Sequence, residues 1–486
     1  MKGNHLRECG NDGIYAFDSA IDVRENLVEL SDQKGILISD CRLFMVYDNV
    51  VRANGISGIV VGSQGLKDSV GWLGDNDITG NGRNGLYVAS NSTCVMYGSN
   101  FEGNGWYGVY CQKGGTLEWT VSGTSRVINE TLRVRGTVEV ARGGTLVVVN
   151  STLHFDHHPE YSWGSVLVSG GEMRVTEGSE VTKGTDLLLE DRDVRLTVRD
   201  GGSLNGSGSY FMSSLVIVNE GRFEAYACEF STENRSISID GQETYLRLDG
   251  CTFTDGASGV VANGADVLIV RCDFLRMSEG IRLVDCNGPG PTVRDTSMFS
   301  VRAGLVLEGS YGVNVDNCTF TICQDAILAT DVNLLRITNS TISKGTGHGI
   351  RSIDSSVHVT DCVLSECAAG AIVHDTNLLW VEGTTIANNQ RVGIWANMTE
   401  LVLVNTSVTN TFGIGVRNSY NPAGQGQDDF FARDSFFQGS AAYDLRLEGA
   451  FLARVYNSKL EPDAVRIMDD VVLEVYNPWI LRVVVE

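Results

Sequence analysis

The chain has 486 residues, with 56 Gly, only 6 Pro and a formal net charge of −23. That acidity argues against a nucleic-acid partner, because a phosphate backbone selects a basic surface. No run of 18 apolar residues occurs, so no segment reads as a membrane span.

Taken in order, the chain repeats itself almost from its start. Asn4–Tyr15 aligns without gaps on Ser99–Tyr110, and Asn76–Tyr87 is a third copy beginning 23 residues before Ser99. Residues 16–75 are less regular but keep Cys41-Arg42-Leu43 and Gly58-Ile59-Val60. From 113 to 227 the register is lost. Thr131–Val140 and Gly143–Val149 still alternate, and Gly-Gly turns recur at Gly170-Gly171 and Gly201-Gly202, so strands with shorter coils are expected.

The clearest repetition lies between Asp249 and Arg417. One column holds small residues: Cys251, Cys272, Thr296, Cys318, Ser340, Cys362, Thr384 and Thr406. Their intervals are 21, 24, 22, 22, 22, 22 and 22 residues by subtraction. A second column, Gly or Ala before an aliphatic, keeps step from Gly259 and Gly280 to Gly393 and Gly415. A period of this length means a solenoid. Each copy carries three short alternating runs, such as Leu335–Thr338, Thr341-Ile342 and Ile350–Ile353, bounded by Gly, Asn and Asp. A leucine-rich repeat would need a Leu-x-x-Leu-x-Leu frame and a helical half, and neither is present. The expected fold is therefore all-β: a right-handed parallel β-helix solenoid of about 22 residues and three strands per coil. The small residues then face inward, one above another. Glycine sits where a turn needs positive φ or where coils approach closely.

The expected division is an N-terminal β-helix module over 1–112, then an irregular waist or the start of a second module over 113–227. A regular β-helix follows over 228–475, and then a final strand over 476–486. Pro422–Asp429 reads as a surface insertion, since Thr406 to Ser435 spans 29 residues. The twelve Cys read as small buried thiols, not disulfides, because five of them share the inward column with Thr and Ser. Neither end shows a cap, so the chain reads as a piece of a longer protein or as a subunit whose open ends self-associate into a fibre.

The copies of Asn-Ser/Cys-Thr-Phe/Ile followed by Gly-Ile resemble the β-helix repeats of the NosD-like and pectate-lyase-like superfamily. Val121–Leu132, Gly143–Leu146 and Asn150–Leu153 are also similar to large euryarchaeal surface proteins, in which β-helices alternate with immunoglobulin-like modules. In that light Tyr476–Glu486 would be the first strand of such a module. The resemblance implies an extracellular or cell-surface location, with leader and anchor outside this chain. Sequons at Asn91, Asn129, Asn150, Asn205, Asn234, Asn317, Asn339, Asn397 and Asn405 agree with export and with a glycoprotein.

The superfamily also contains lyases, hydrolases and epimerases of acidic polysaccharides. Polygalacturonases carry Gln-Asp-Asp and, about one coil later, Gly-His-Gly. Here Gln324-Asp325-Ala326 precedes Gly347-His348-Gly349, so Ala326 replaces the second aspartate. An inverting glycosidase needs two opposed carboxylates with room for water, and half of that set is missing. His348 also occupies a turn position filled elsewhere by Asn84, Tyr107 and Val392. Still, Glu279, Asp325 and His348 share one turn column with Arg302 beside it, and stacking predicts an Asp325–His348 pair whatever its purpose.

His154, Asp156, His157, His158 and Glu160 form the His-dense stretch, in which imidazoles and carboxylates offer ligands to a divalent metal, or simply a polar surface loop. Acidic pairs at Asp75/Asp77, Asp191/Asp193, Asp428/Asp429 and Asp469/Asp470 offer hard oxygens to Ca²⁺, without an EF-type loop. Trp106, Tyr107 and Tyr110, and Tyr161 with Trp163, are ring clusters that stack on sugars or pack between coils. The expected function is a non-enzymatic extracellular or cell-surface solenoid, structural or adhesive, engaging polysaccharide or a cell-surface glycan. The alternatives are a polysaccharide lyase, hydrolase or epimerase, and a self-assembling fibre subunit.

Overall fold

The computed structural model describes residues 1–62, 68–156, 165–183, 194–288, 290–420, 430–449, 451–468 and 471–476, with backbone only at 376 and 420. Among these residues the regular structure is strand throughout, apart from a 3-10 turn at Pro462–Ala464. No helix there is long and apolar enough to cross a membrane. The fold is a parallel β-solenoid of about 20 turns with about 22 residues per coil. Contacts divide it into two compact units, 1–238 and 239–486.

One coil of the second unit shows how the sequence becomes structure. Its strands are Leu335–Thr338, Thr341–Ser343 and His348–Ile353. Alternation sends Leu335, Ile337, Ile342 and Ile350 inward, where each is at most 1% exposed, while Arg336 faces solvent. The next coil repeats the arrangement in parallel register, Leu335 on Val357, Thr341 on Val363 and Ile350 on Ile372. Three residues in the left-handed conformation turn the corners: Asn339, Lys344 and Asp354, with φ of 51°, 56° and 51°.

The inward column is as expected. All eight small residues from Cys251 to Thr406 are buried. They bond in series: Cys318 N donates to Ser340 Oγ at 3.1 Å, Ser340 N to Cys362 Sγ at 3.4 Å, and Cys362 N to Thr384 Oγ1 at 3.3 Å. Two residues further on, Phe253 and Phe274 stack inside at 4.6 Å between ring centres. All twelve cysteines are free, and all but Cys9 are buried. Burial pushes the Cys318 thiol up to about 12, so it stays protonated and inert.

The recurrent glycine column and the left-handed corners are different places. Gly304 has an ordinary φ, but a Cβ there would meet the Ala326 carbonyl oxygen at 2.5 Å, so this column marks close approach between coils. The left-handed corner before the inward column is held mainly by Asp and Asn: Asp295, Asn317, Asn339, Asp361, Asn405 and Asp434, with Gly383 among them. Their short polar side chains tolerate positive φ and bond across coils, as when Asn317 Nδ2 donates to Asp295 Oδ1 at 2.6 Å.

In the first unit the inward corners carry asparagine ladders. Asn26, Asn49 and Asn76 form one, and Asn54, Asn81 and Asn104 form the other. Pairing continues through the stretch where the sequence loses its period. Leu117 pairs with Gly136, 19 residues on, whereas Val138 pairs with Val166, 28 residues on. Ladder register constrains only the strands; extra or missing residues are absorbed at corners, so an uneven period hides an even stack. The insertion at 422–429, the final strand expected over 476–486 beyond Tyr476, and Asp469 and Asp470 lie outside the described residues.

Candidate functional site

In the second unit, the left-handed corner between the second and third strands turns the chain outward and displays the residues after it. Over neighbouring coils these side chains line a cleft of about 580 Å³ that includes Arg276, Ser278, Arg302, Gln324 and Thr346. Thr346 also lines the adjoining cleft of about 460 Å³, with Lys344, Glu366, Asn388, Gln390 and Phe412. The result is a groove of mixed polar and apolar lining along one edge of the unit, with Ile322 exposed within it and the Phe412 ring 72% exposed at one end. Arg276 is compensated by Asp255 at 2.7 Å, while Arg302 and Lys344 form no ion pair among the described residues.

The predicted turn column sits at the rim of this groove. Glu279, Ala303 and Asp325 are in register on consecutive coils. Asp325 Oδ1 accepts from the His348 backbone N–H at 3.0 Å and lies 2.9 Å from His348 Nδ1. The bond from His348 holds the Asp325 carboxyl below the usual carboxylate range, against the opposing effect of its partial burial. Glu279 is brought no nearer than two coils and faces a different partner, Arg282, at 2.7 Å. Asp325 and His348 thus form a side-chain pair, the Asp325 backbone N–H donates to the Arg302 carbonyl at 2.9 Å, and Glu279 stands apart.

The His-dense stretch is described only in part. His154 lies on the strand Thr152–Phe155, in register with Arg133 and Thr182. Asp156 is buried, and its Oδ2 lies 2.5 Å from Arg133 Nε and 3.4 Å from Arg135 Nε, so two guanidinium groups face this carboxylate. His157, His158 and Glu160 lie outside the described residues, as do Tyr161, Trp163, Asp191, Asp193, Asp428 and Asp429. Among the described residues no group of three or more His, Cys, Asp or Glu side chains converges as a metal cage. The first ring cluster packs between coils: Tyr87 stacks on Tyr110 at 5.6 Å, Tyr107 lies 5.0 Å from Tyr110, and Arg83 covers the exposed Trp106 at 4.7 Å.

The sequons have a structural origin as well. Asn91, Asn129, Asn150, Asn317, Asn339 and Asn405 all occupy left-handed corners, with φ between 46° and 58°. The motif combines a corner asparagine, an inward residue that is small in every copy except Glu130 after Asn129, and the Ser or Thr that opens the next strand. Asn205, Asn234 and Asn397 lack that corner geometry; Asn205 and Asn397 are half-buried and Asn234 is exposed.

The profile of the right-handed beta helix region matches residues 1–153, 143–325 and 303–426. The chain belongs to the right-handed β-helix family. The comparison with curated proteins returned no match. Among solved structures the chain is similar to tailspike protein 3 of bacteriophage CBA120, at 12% identity over 72% of this chain and 56% of that one, with a TM-score of 0.31. It is also similar to the PL6 family alginate lyase AlyGC, at 10% identity over 97% and 96% of the two chains, with a TM-score of 0.26. The periplasmic alginate epimerase AlgG aligns at 11% identity over 80% and 78%, with a TM-score of 0.17. The chain spans little more than half the length of that tailspike chain, and scores of this size carry no argument about activity.

Proposed function

We propose that this β-helix is a non-enzymatic extracellular or cell-surface protein, structural or adhesive, that holds carbohydrate in the groove of residues 239–486. The observation that carries this reading is the groove's make-up. It is shallow and continuous across several coils through Thr346, and it mixes amides at Gln324, Asn388 and Gln390 with apolar side chains and an exposed ring at Phe412. Hydroxyl-rich polymers suit such a surface: amides and cations bond the hydroxyls, and the ring packs on a sugar face. The surplus of acidic residues and the nine sequons support an exported location. A glycan array on the full chain tests this: at least one glycan binds, and Arg302→Ala with Phe412→Ala lowers its affinity about tenfold or more. No bound glycan, or unchanged affinity in the double variant, refutes it.

The Asp325–His348 contact beside Arg302 favours a second reading, a polysaccharide lyase, hydrolase or epimerase in which His348 moves a proton. Unsaturated products or new reducing ends formed by the native chain and lost in both Asp325→Ala and His348→Ala would establish it. Their absence across acidic and neutral polysaccharides leaves the pair a structural role.

A further inference from the structure

The outward residues of the third strand form a charged column in the second unit. Trp395 pairs with Arg417, Arg417 with Arg446, and Arg446 with Arg466. Adjacent strands lie about 4.8 Å apart, so three guanidinium stems leave the sheet one above another. Like charges directly opposed across strands destabilise a sheet. The surroundings compensate them incompletely. Glu448 meets Arg417 Nη2 at 3.0 Å and also pairs with Arg446, so one carboxylate serves two cations. Arg466 is exposed and has no carboxylate partner among the described residues; its Nη1 donates to the Tyr443 hydroxyl at 2.8 Å, and it lies 5.3 Å from that ring's centre. Arg417 lies 4.9 Å from the centre of the Trp395 ring, and that residue is 37% exposed.

Among the described residues the column therefore carries three cations against one anion, in a chain whose 60 Asp and Glu outnumber its 37 Lys and Arg. Repeat copying does not account for it, because the arginines are 29 and then 20 residues apart by subtraction. We propose that the Trp395–Arg417–Arg446–Arg466 column is a docking strip for a linear anionic glycan whose carboxylate or sulfate groups recur along the polymer. A guanidinium presents a planar fork that bonds either group bidentately and gives up its hydration more readily than an ammonium. Repeated cations answer repeated anions, whereas one small anion would satisfy a single arginine. Trp395, at the head of the column, adds an apolar face for a sugar ring. The strip lies on the third strand and the groove on the corner before it, so this proposal stands or falls separately from the groove.

The test titrates the full chain with polygalacturonate, dextran sulfate, neutral dextran and an oligodeoxythymidylate at low and moderate salt. Expected is binding to at least one of the two anionic glycans and not to dextran, weakening roughly tenfold or more between 50 and 200 mM NaCl as released counterions oppose association. The triple variant Arg417→Gln, Arg446→Gln, Arg466→Gln loses at least tenfold in affinity, and Arg466→Glu alone, at an exposed position, loses at least threefold with the circular dichroism spectrum unchanged. Glu448→Gln, which removes the shared counter-charge, tightens binding several-fold. Arg271→Gln, at an exposed arginine outside both the column and the groove, leaves polyanion binding as it was. The proposal is overturned if neither anionic glycan binds, if Arg466→Glu binds as the native chain does, or if the oligonucleotide binds more tightly than both.

Discussion

Within residues 1–104 two buried corners carry runs of carboxamides, Asn26 with Asn49 and Asn76, and Asn54 with Asn81 and Asn104; the inward column from Cys251 to Thr406 carries thiols and hydroxyls instead. Asn81 shows what a carboxamide accomplishes. Its Oδ1 accepts from Asn54 N at 3.1 Å and from Asn54 Nδ2 at 3.0 Å, while its Nδ2 donates to Asn104 Oδ1 at 2.9 Å and to the Val51 carbonyl at 3.1 Å. Cys362 does less: Sγ accepts from Ser340 N at 3.4 Å and donates to the Thr360 carbonyl at 3.2 Å. Sulfur is a weak donor and a weak acceptor. The first unit's ladder is a network in which each member depends on its neighbours. The second is a set of separate contacts, so Cys, Ser and Thr replace one another along it.

The largest effect that would sharpen this contrast comes from Asn81→Ala. It strands the Asn54 amide donor and the Val51 carbonyl in a buried column, and each orphaned group costs about 1–3 kcal/mol. A total loss on the order of 4 kcal/mol is expected, read as reduced denaturant midpoint and as lost hydrogen-exchange protection around Asn54 and Asn104. A loss no larger than that of a thiol variant would break the distinction between network and separate contacts.

Next comes the place where the asparagine ladder meets a carboxyl. Glu130 Oε1 accepts from Asn104 N and Nδ2, both at 2.7 Å, in a buried site. Burial pushes its carboxyl up to about 7, from an ordinary 4.5. An acid whose folded pKa is raised holds its proton preferentially in the folded state. Its contribution to stability is complete below the unfolded value and is lost as pH rises through about 7, on the order of 3 kcal/mol. Glu130→Gln restores a carboxamide to the ladder and removes that titration. The variant should melt higher than the native chain at pH 8 and about equally at pH 4. An equal gain at both values would assign the effect to packing instead of charge.

The smallest change belongs to the other ladder. Cys362→Ser puts a hydroxyl where Ser340 already has one, a coil away in the same column, so a shift of about 1 kcal/mol or less is expected. A loss of several kcal/mol would show that the thiols pack as tightly coupled neighbours after all.

Much of this architecture is legible in the sequence because a stacked coil turns one-dimensional spacing into geometry. The period, the inward column from Cys251 to Thr406 and the Asp325–His348 contact all follow from placing a residue above its counterpart one coil earlier. Three features escape that logic. The Asp and Asn corners look like solvent-facing turn residues until their φ is known. The groove has no motif, since it is the sum of variable positions on several coils. The arginine column spans steps of 29 and 20 residues, and a fixed period cannot align it. Spacing alone determines which residues recur; which outward residues become neighbours depends on how each corner absorbs its surplus, and only the closed backbone with its ladder register decides that.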